Sequence, residues 1–306
     1  MEWAPGGSTV LEVVPPTLKS GLEGLYSRIS RVRRLVANGD FDAINIPEII
    51  DEENRNDRGV RVQSFAPRME PRELGRRIQD ELGLPVIVNR VVAFEPLAAQ
   101  MDWIRETVAG FGIQNVVLVG APHDRKEWAG PSVSEANAAF RNDFSSDRLK
   151  IGNICIPGRE GSPIPESARM EDKSQNGANF FTTQIIFDPS DIIQLRKELL
   201  ANGCSARKLP MLVSLCPVRR QRNLAFLRYL GVKIDDRLEQ DLAALPMKEC
   251  LQKSMEILST IQSELVENEG DPQDLGPLGW NIAPVGQIPI TSILKLMEQL
   301  PGSLQA

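Results

Sequence analysis

Short apolar runs recur along the chain, and between them lie segments whose apolar residues follow helical spacing. Most of the runs are rich in β-branched residues, which is typical of strands in a parallel sheet covered on both faces. The runs predict eight strands, at residues 9–15, 41–47, 84–92, 115–122, 150–157, 179–188, 208–217 and 279–285.

The segments between the runs predict helices with one apolar face. Residues 22–39 combine apolar positions at helical spacing with a basic outer face and a terminal Asn-Gly, which is a common helix stop. The same signals predict helices at residues 71–83, 95–112, 189–203, 224–231, 236–245, 248–270 and 290–300.

Eight alternating strand–helix units in 306 residues favour a single (β/α)8 barrel, also called a TIM barrel, with extra helices around residues 235–269. The alternative is a doubly wound α/β sheet. That fold would be expected to carry a GxGxxG motif after its first strand, and the chain has neither this motif nor a Walker A motif. We therefore expect one barrel domain over residues 1–306.

The composition is that of an ordinary globular protein, with 42% hydrophobic and 25% charged residues. The formal net charge of −6 lacks the basic bias that nucleic-acid-binding proteins usually show. No apolar run reaches the length of about 18 residues that a membrane helix needs, and the N-terminus lacks the pattern of a secretory signal. We therefore predict neither a nucleic-acid partner nor a membrane partner.

The cysteines and the single histidine limit the chemistry further. The four cysteines contain no CxxC pair, and Cys155 and Cys216 lie within apolar runs, where buried thiols are more common than nucleophiles. A structural zinc site is not expected, and a Ser-His-Asp triad would depend on His123 alone. These features fit a reducing, cytoplasmic compartment.

Five strands carry a polar residue near the carboxyl end, namely Glu12, Asn45, Asn89, Gln184 and Asn281. In a barrel the functional groups lie at that end. The alternative is that some of these side chains face the helices or cap a loop, and for Asn45 and Asn281 both interpretations stay open. Glu12 is flanked by apolar residues, and desolvation there is expected to raise its pKa, which suits a general acid.

Three segments together resemble one enzyme family. LEVVPP at residues 11–16 resembles the first strand of methylenetetrahydrofolate reductases, in which an acidic residue precedes a proline pair. NGANFFTTQIIFDPSDIIQLRKELLANG at residues 176–203 resembles the sixth strand and the following helix, and LVSLCPV at residues 212–218 resembles the seventh strand. The likeness follows nearly the whole chain in order and spacing.

The resemblance implies a (β/α)8 barrel that reduces 5,10-methylenetetrahydrofolate to 5-methyltetrahydrofolate, a step of one-carbon metabolism that serves methionine biosynthesis. By motif, Glu12 matches the general acid that helps to protonate N10 of the folate, so that its five-membered ring opens. Gln184 matches a residue that hydrogen-bonds the pterin near the site of hydride transfer. The strand pattern singles out the same two side chains without the resemblance.

The chain departs from the flavin-dependent members of the family at positions that contact FAD. Ala121 stands where the fourth strand usually ends in an aspartate, and Asn89 where the third strand usually carries a histidine. Ile156 stands where the fifth strand usually carries a stacking tyrosine. Several flavin contacts are therefore absent together.

Another branch of the family has no bound flavin and passes hydride directly from NADH to the folate. Residues 45–74, with an Ile-Pro that leads to an acidic run, and LVGAP at residues 118–122 resemble this branch. The resemblance therefore implies NADH or NADPH as the hydride donor, without FAD. The alternative is that backbone groups at the strand ends hold FAD without the usual side chains.

The loop after strand 7 contributes further candidates. By spacing, the family positions for a folate-binding glutamine and phenylalanine hold Asn223 and Leu227, while Gln221 and Phe226 lie nearby. Arg219, in PVRRQRN, suits a phosphate of NAD(P)H or the glutamate tail of a folate, and its alternative role is in a solvated helix start.

Two more residues are candidates at the strand ends. Arg159 lies in the Gly/Pro-rich loop 156–166, which is either a lid or a surface loop, and Phe181 is either a stacking partner or core packing. The acidic run at residues 51–57 and His123 are expected in solvated loops. The predicted substrate contacts are Gln184, Asn45, Asn89, Gln221, Asn223 and Phe181, and the predicted cofactor contacts are Ala121, Arg159, Arg219 and Asn281.

These features predict an oxidoreductase of the methylenetetrahydrofolate reductase type that uses NAD(P)H without flavin. The alternatives are an FAD-dependent reductase and a non-catalytic folate-binding partner protein. The missing strand-4 aspartate favours the non-catalytic alternative, whereas Glu12 and Gln184 oppose it. The helical stretch at residues 235–269 either offers a surface for a homo-oligomer or covers the barrel.

Overall fold

Eight parallel strands close into a barrel, and each strand pairs with its neighbours in chain order. The computed structural model describes residues 3–51, 64–121, 128–159 and 162–299. The prediction of a (β/α)8 barrel is confirmed. The strands are β1 Thr9–Glu12, β2 Ala43–Ile46, β3 Val86–Val91, β4 Asn115–Val119, β5 Lys150–Cys155, β6 Phe180–Thr183, β7 Met211–Leu215 and β8 Leu278–Ile282.

Helices follow the strands and cover the outside of the barrel. Between β7 and β8 the chain forms three helices rather than one, and two short 3-10 helices lie at Leu18–Ser20 and Ser205–Lys208. The α-helices are α1 Gly21–Val36, α2 Pro71–Leu82, α3 Leu97–Ala109, α4 Val133–Asp143, α5 Glu166–Gln175, α6 Pro189–Ala201, α7 Gln221–Tyr229, α8 Asp236–Ala243, α9 Met247–Glu267 and α10 Ile290–Gln299.

Alternate strand residues fill the inside of the barrel, because side chains along a strand point to opposite faces. The lower layer is apolar and includes Val10, Ile87 and Phe180, and Trp3 packs edge-on against the Phe180 ring. Gly152 leaves room for that ring, since a Cβ at this position would lie 2.3 Å from Phe180 Cζ. Above this packed layer, most of the inward positions are polar.

A larger apolar layer lies between the strands and the helices, and it supplies most of the buried surface. Leu11, Ile44 and Phe140 are fully buried in this layer. A second cluster packs α7, α8 and α9 around Cys216 and Leu242. All four cysteines are buried and unbridged, which confirms the prediction of buried thiols. Among the described residues, no helix has both the length and the apolar character needed to cross a membrane.

The sixth strand is shorter than its apolar run predicts. The run extends to residue 188, yet β6 ends at Thr183, and Asp188 caps the start of α6 by accepting a hydrogen bond from Ser190 N at 2.9 Å. Ile186 and Phe187 are buried, but they pack in the connection between β6 and α6. Their hydrophobicity therefore serves helix packing rather than a longer strand.

Candidate active site

A cleft of about 2210 Å³ opens at the carboxyl ends of the strands. This is larger than the roughly 300–1,000 Å³ of a typical small-molecule pocket, so the cleft has room for two ligands side by side. All eight strands or the residues that follow them contribute to its lining, which contains Glu12, Asn45, Asn89, Val119, Ile154, Thr182, Gln184, Ser214 and Asn281.

Glu12 is the last residue of β1 and points into this cleft. The register of the barrel places Asn45 of β2 beside it, and Asn45 Nδ2 donates to Glu12 Oε2 at 3.1 Å. Asn281 of β8 donates to the same oxygen from the other side, at 3.4 Å. Two amides therefore hold the carboxyl group. Glu12 forms no ion pair within the described residues.

Burial raises the pKa of Glu12 above the ordinary glutamate value, and the hydrogen bonds from Asn281 and Asn45 oppose this rise only in part. The negative charge of Glu12 also acts on Cys216, where burial is the main cause of a thiol pKa raised to about 12. The site therefore stabilises the protonated form of Glu12 more than a solvent-exposed position would. This form is the one that can donate a proton.

Three amide oxygens on strands that line the cleft have no hydrogen-bond partner within the described residues. They are Oδ1 of Asn45, Asn89 and Asn281, and all three are buried. Buried polar atoms are normally paired, so such a cluster calls for a partner. A protonated Glu12 and the N–H groups of a bound heterocycle are both suitable donors.

Two hydroxyl groups extend this polar layer across the barrel. Ser214 Oγ accepts a hydrogen bond from Asn281 Nδ2 at 3.1 Å and lies 3.5 Å from Thr182 Oγ1. Ser214 stands directly beside Asn281 in the β7–β8 register. The hydroxyl therefore fixes the orientation of the amide that contacts Glu12. Sequence reasoning missed this residue, because a single serine in an apolar strand gives no distinctive signal.

Gln184 lies immediately after β6 and lines the cleft, as Glu12 does. Its Nε2 donates to the Leu230 carbonyl at 3.2 Å, and its Oε1 accepts from Ile185 N at 2.9 Å. Phe226 and Tyr229 of α7 line the same side with stacked rings, 6.0 Å apart between centroids. Gln184 thus presents an amide next to an aromatic wall.

The loop after β7 places only part of the predicted set at the cleft. Asn223 donates to the Val285 carbonyl at 3.1 Å, and Arg219 donates to the Gln287 carbonyl at 3.1 Å, and both line the cleft. Gln221 is exposed at the start of α7 and does not line the cleft, so the structure does not bring it together with the other predicted substrate contacts. Leu227 is fully buried in the core, and Phe226 occupies the cleft wall instead.

Phe181 was predicted as a substrate contact, and the structure places it elsewhere. It is fully buried in the layer between the barrel and the helices, and it does not line the cleft. The reason is the strand period of two residues, since inward Phe180 and Thr182 leave Phe181 facing outwards. Phe181 is therefore a core residue.

The predicted cofactor contacts Ala121 and Arg159 both lie on the cleft wall. Arg159 approaches Glu166 at 3.4 Å, and Lys173 reaches the same carboxylate at 3.9 Å. Burial lowers the pKa of Lys173, which also donates to the Ile154 carbonyl at 2.7 Å. Arg159 is therefore tied to the start of α5. His123, Glu160 and residues 52–57 of the acidic run lie outside the described residues.

The described lining of the cleft carries nine arginine and lysine residues but only three carboxylates, although the whole chain has a net charge of −6. The cleft is therefore positive and attracts anionic ligands. Sequence reasoning placed the arginines of α1 on an outer, solvated face, and it missed that Arg28, Arg31 and Arg34 reach the cleft. Their spacing of three residues indicates a shared side of the helix, but it does not indicate that this side reaches the cleft.

A family model and a curated relative indicate the same family. The family model described as mycobacterial methylenetetrahydrofolate reductase matches residues 7–221. Methylenetetrahydrofolate reductase 2 of Schizosaccharomyces pombe is 24% identical over 259 residues, which cover 78% of this chain and 38% of that protein. The chain thus spans well under half of the length of this curated relative.

Solved structures show the same fold. An uncharacterised Clostridium thermocellum protein that binds two copies of 5-methyl-5,6,7,8-tetrahydrofolic acid superposes with a TM-score of 0.74 at 21% identity, over 95% of this chain and 94% of that one. Apo-MsnO8 superposes with a TM-score of 0.56 at 12% identity, over 97% and 98% of the two chains. Since the family model covers more than half of the chain, this protein belongs to the mycobacterial, non-canonical branch of the methylenetetrahydrofolate reductase family.

Proposed function

We propose that the protein transfers hydride from NADH or NADPH to 5,10-methylenetetrahydrofolate, giving 5-methyltetrahydrofolate, without a flavin. The observation that carries this proposal is the buried carboxyl group of Glu12, which two amides hold at the centre of the cleft. The family match supports the reaction type, and the two folates bound by the Clostridium thermocellum protein support folate as the ligand. The unbridged cysteines agree with a reducing compartment such as the cytoplasm.

Glu12 acts as the general acid in this proposal. Its proton passes to N10 of the folate, the bond between N10 and the methylene carbon breaks, and its electron pair stays on N10. The remaining 5-iminium cation is then electrophilic at the methylene carbon. Glu12 is left as a carboxylate that the Asn45 and Asn281 amides stabilise, and it regains a proton from solvent through the open cleft.

The other residues bind and orient the two substrates. Gln184 offers its amide to the edge of the pterin, and the rings of Phe226 and Tyr229 offer an apolar face beside it. The nicotinamide supplies the hydride to the methylene carbon. The volume of about 2210 Å³ allows both molecules to lie in the cleft together, which direct transfer requires.

The cleft wall at β4 and β5 does not fit a flavin ring well. Val119, Ala121, Ile154 and Ile156 line it, and none of these side chains forms hydrogen bonds. An isoalloxazine ring presents donors and acceptors along its pyrimidine edge, and the nearby amide of Asn89 answers only part of this need. We therefore assign no step to FAD.

The absorbance spectrum and turnover of the purified protein test the proposal. We expect no flavin bands, together with oxidation of NADH or NADPH that depends on methylenetetrahydrofolate in buffer without added flavin. A stoichiometric flavin spectrum would refute direct transfer.

The substitution Glu12→Gln tests the acid. It keeps the shape and removes the proton donor, so we expect turnover to fall about 10²–10⁴-fold with little change in folate affinity. Asp172→Asn is the matched control, because Asp172 is another carboxylate on the cleft wall and is held by Ser134. Wild-type turnover in Glu12→Gln would show that Glu12 is structural.

A second candidate function is folate binding without catalysis. The observation that favours it is the Clostridium thermocellum protein, which binds two folates in the same fold. This alternative predicts stoichiometric binding of 5-methyltetrahydrofolate and no turnover with either nucleotide. The turnover assay therefore separates the two functions.

A further inference from the structure

The amide of Asn89 is buried at the cleft without a hydrogen-bond partner among the described residues. Asn89 lies on β3, lines the cleft and has an exposed fraction of only 8%. The amides of Asn45 and Asn281 donate to Glu12, whereas the Asn89 side chain forms no hydrogen bond with any other described residue. A buried polar group is costly when it is left unpaired. The fold does not use this amide, so it is available to a group of a ligand.

The two strands that follow β3 around the barrel present an apolar wall. Val119 at the end of β4 and Ile154 of β5 line the cleft, and both pack on the apolar layer inside the barrel. The polar groups around Glu12 come instead from β2, β7 and β8. On the β3–β5 side, the cleft therefore offers one amide next to aliphatic side chains.

This combination fits a dihydronicotinamide ring better than a pterin. The ring carries one strong hydrogen-bonding substituent, a primary carboxamide, and the rest of the ring is largely apolar. A carboxamide and the Asn89 amide each have a donor group and an acceptor, so they can pair through two N–H···O bonds. A pterin has donors and acceptors along a whole edge and needs several polar partners. Such partners lie on the other side of the cleft, where Asn281 joins Glu12 and Ser214.

We propose that Asn89 binds the carboxamide of the reduced nicotinamide, so that the hydride donor lies on the β3–β5 side of the cleft, against Val119 and Ile154. This inference rests on the proposed function, because it takes NADH or NADPH as the second substrate. It assigns to the dinucleotide a residue that the sequence predicts as a folate contact. Two hydrogen bonds to one amide prevent the ring from turning in its own plane, and direct transfer requires the reacting atoms to lie about 3–3.5 Å apart. Asn89 therefore positions the ring for transfer.

Calorimetric titration with two reduced dinucleotides tests this contact without turnover. One is NADH or NADPH, whichever the wild type binds more tightly, and the other is its 3-acetylpyridine analogue, in which a methyl group replaces the carboxamide nitrogen. The analogue leaves Oδ1 of Asn89 unpaired, so we expect it to bind about tenfold more weakly, which corresponds to about 1.4 kcal/mol. The titrations are run with and without 5-methyltetrahydrofolate, which cannot accept the hydride.

Asn89→Leu is expected to bring this ratio of affinities towards one. Leucine removes both hydrogen bonds to the carboxamide, so the affinity for NADH or NADPH falls while the affinity for the analogue changes less. The melting temperature should not fall, because the Asn89 amide has no partner among the described residues. Asn89→Ala removes the same hydrogen bonds and keeps the test valid if the leucine does not fit.

Asn153→Leu is the matched control. Asn153 is a fully buried asparagine of β5, but it lies outside the cleft lining, and its amide pairs with that of Asn137 on α4 at 2.7 Å. This variant is expected to lower the melting temperature and to keep the wild-type ratio of affinities. If it does not fold, Asn202→Leu, at the exposed end of α6 and outside the lining, serves as the control.

Three results would overturn the inference. Equal affinity of the wild type for the dinucleotide and its analogue would refute the carboxamide contact and leave the proposed reaction intact. If Asn89→Leu keeps the dinucleotide ratio but weakens the binding of 5-methyltetrahydrofolate, Asn89 contacts the pterin instead. If the wild type binds neither NADH nor NADPH, with or without the folate, the proposed function itself fails, and Asn89 loses its ligand with it.

Discussion

Replacing Glu12 by glutamine is expected to stabilise the protein at neutral and alkaline pH. Burial raises the pKa of Glu12 in the folded state, so the folded protein holds this proton more tightly than the unfolded chain does. The wild type then loses stability as the pH rises from the ordinary carboxyl range to the raised pKa, and the loss is complete above it. Glutamine does not titrate and avoids this loss.

The magnitude follows from the contacts of the side chain. Each unit by which the folded pKa exceeds the unfolded one corresponds to about 1.4 kcal/mol at high pH. The glutamine oxygen can keep the two hydrogen bonds from Asn45 and Asn281, which are 3.1 and 3.4 Å long in the wild type. Its amide can donate to the buried, unpartnered Oδ1 of either asparagine. No buried polar group is therefore lost, and the gain in stability remains.

Thermal unfolding over a series of pH values measures this effect. The melting temperature of Glu12→Gln is expected to exceed that of the wild type by about 2 °C for each kcal/mol, and the difference is expected to vanish at low pH. A variant that is less stable than the wild type by the same amount at every pH would refute a desolvated Glu12.

Other substitutions probe the frame of the cleft. Glu48→Gln weakens the partly buried contact with Arg90 at 2.9 Å, and we expect the free energy of unfolding, measured with urea, to fall by about 3 kcal/mol. Arg33→Gln removes the exposed Arg33–Glu81 pair and should lower the same free energy by less than about 1 kcal/mol. Gly152→Ala places a Cβ 2.3 Å from the Phe180 ring, and it is expected to lower the free energy of unfolding by about 1–3 kcal/mol in the same assay. An unchanged urea midpoint would show that the ring moves freely. Ser214→Ala removes the hydroxyl that orients Asn281 and is expected to lower kcat several-fold with little change in the KM for folate, whereas a pure KM effect would argue against this role.

The fold follows from the sequence because its signals are local and repeated. Eight apolar runs, separated by amphipathic helices with glycine stops, have few arrangements other than a barrel. Strand ends are predicted less well, since Ile186 and Phe187 are as apolar as strand residues but pack against helices. Hydrophobicity reports burial, and it does not distinguish which element provides that burial.

Single polar residues within apolar strands indicated, from the sequence alone, which residues lie at the centre of the cleft. Glu12, Asn45 and Asn281 stand out from their neighbours in sequence, and the barrel brings them within hydrogen-bond distance. Phe181 and Gln221 lie outside the cleft lining, which the sequence did not indicate, because the direction of a side chain depends on strand phase and on the start of a helix. The role of Ser214 depends on register, which only the closed barrel defines.

The separation of charge within the cleft allows burial to raise the pKa of Glu12 in a site that also carries many cations. A cation within about 4–6 Å of a carboxylate lowers its pKa by about 1–3 units, which would oppose the rise that burial causes in the pKa of Glu12. None of the nine described cations of the lining contributes to the pKa of Glu12, whose partners are the amides of Asn45 and Asn281. A new arginine beside Glu12, as in Asn45→Arg, should therefore abolish proton donation by Glu12 even if folate binds more tightly. Amides beside Glu12 and cations elsewhere in the lining are thus two parts of one electrostatic arrangement.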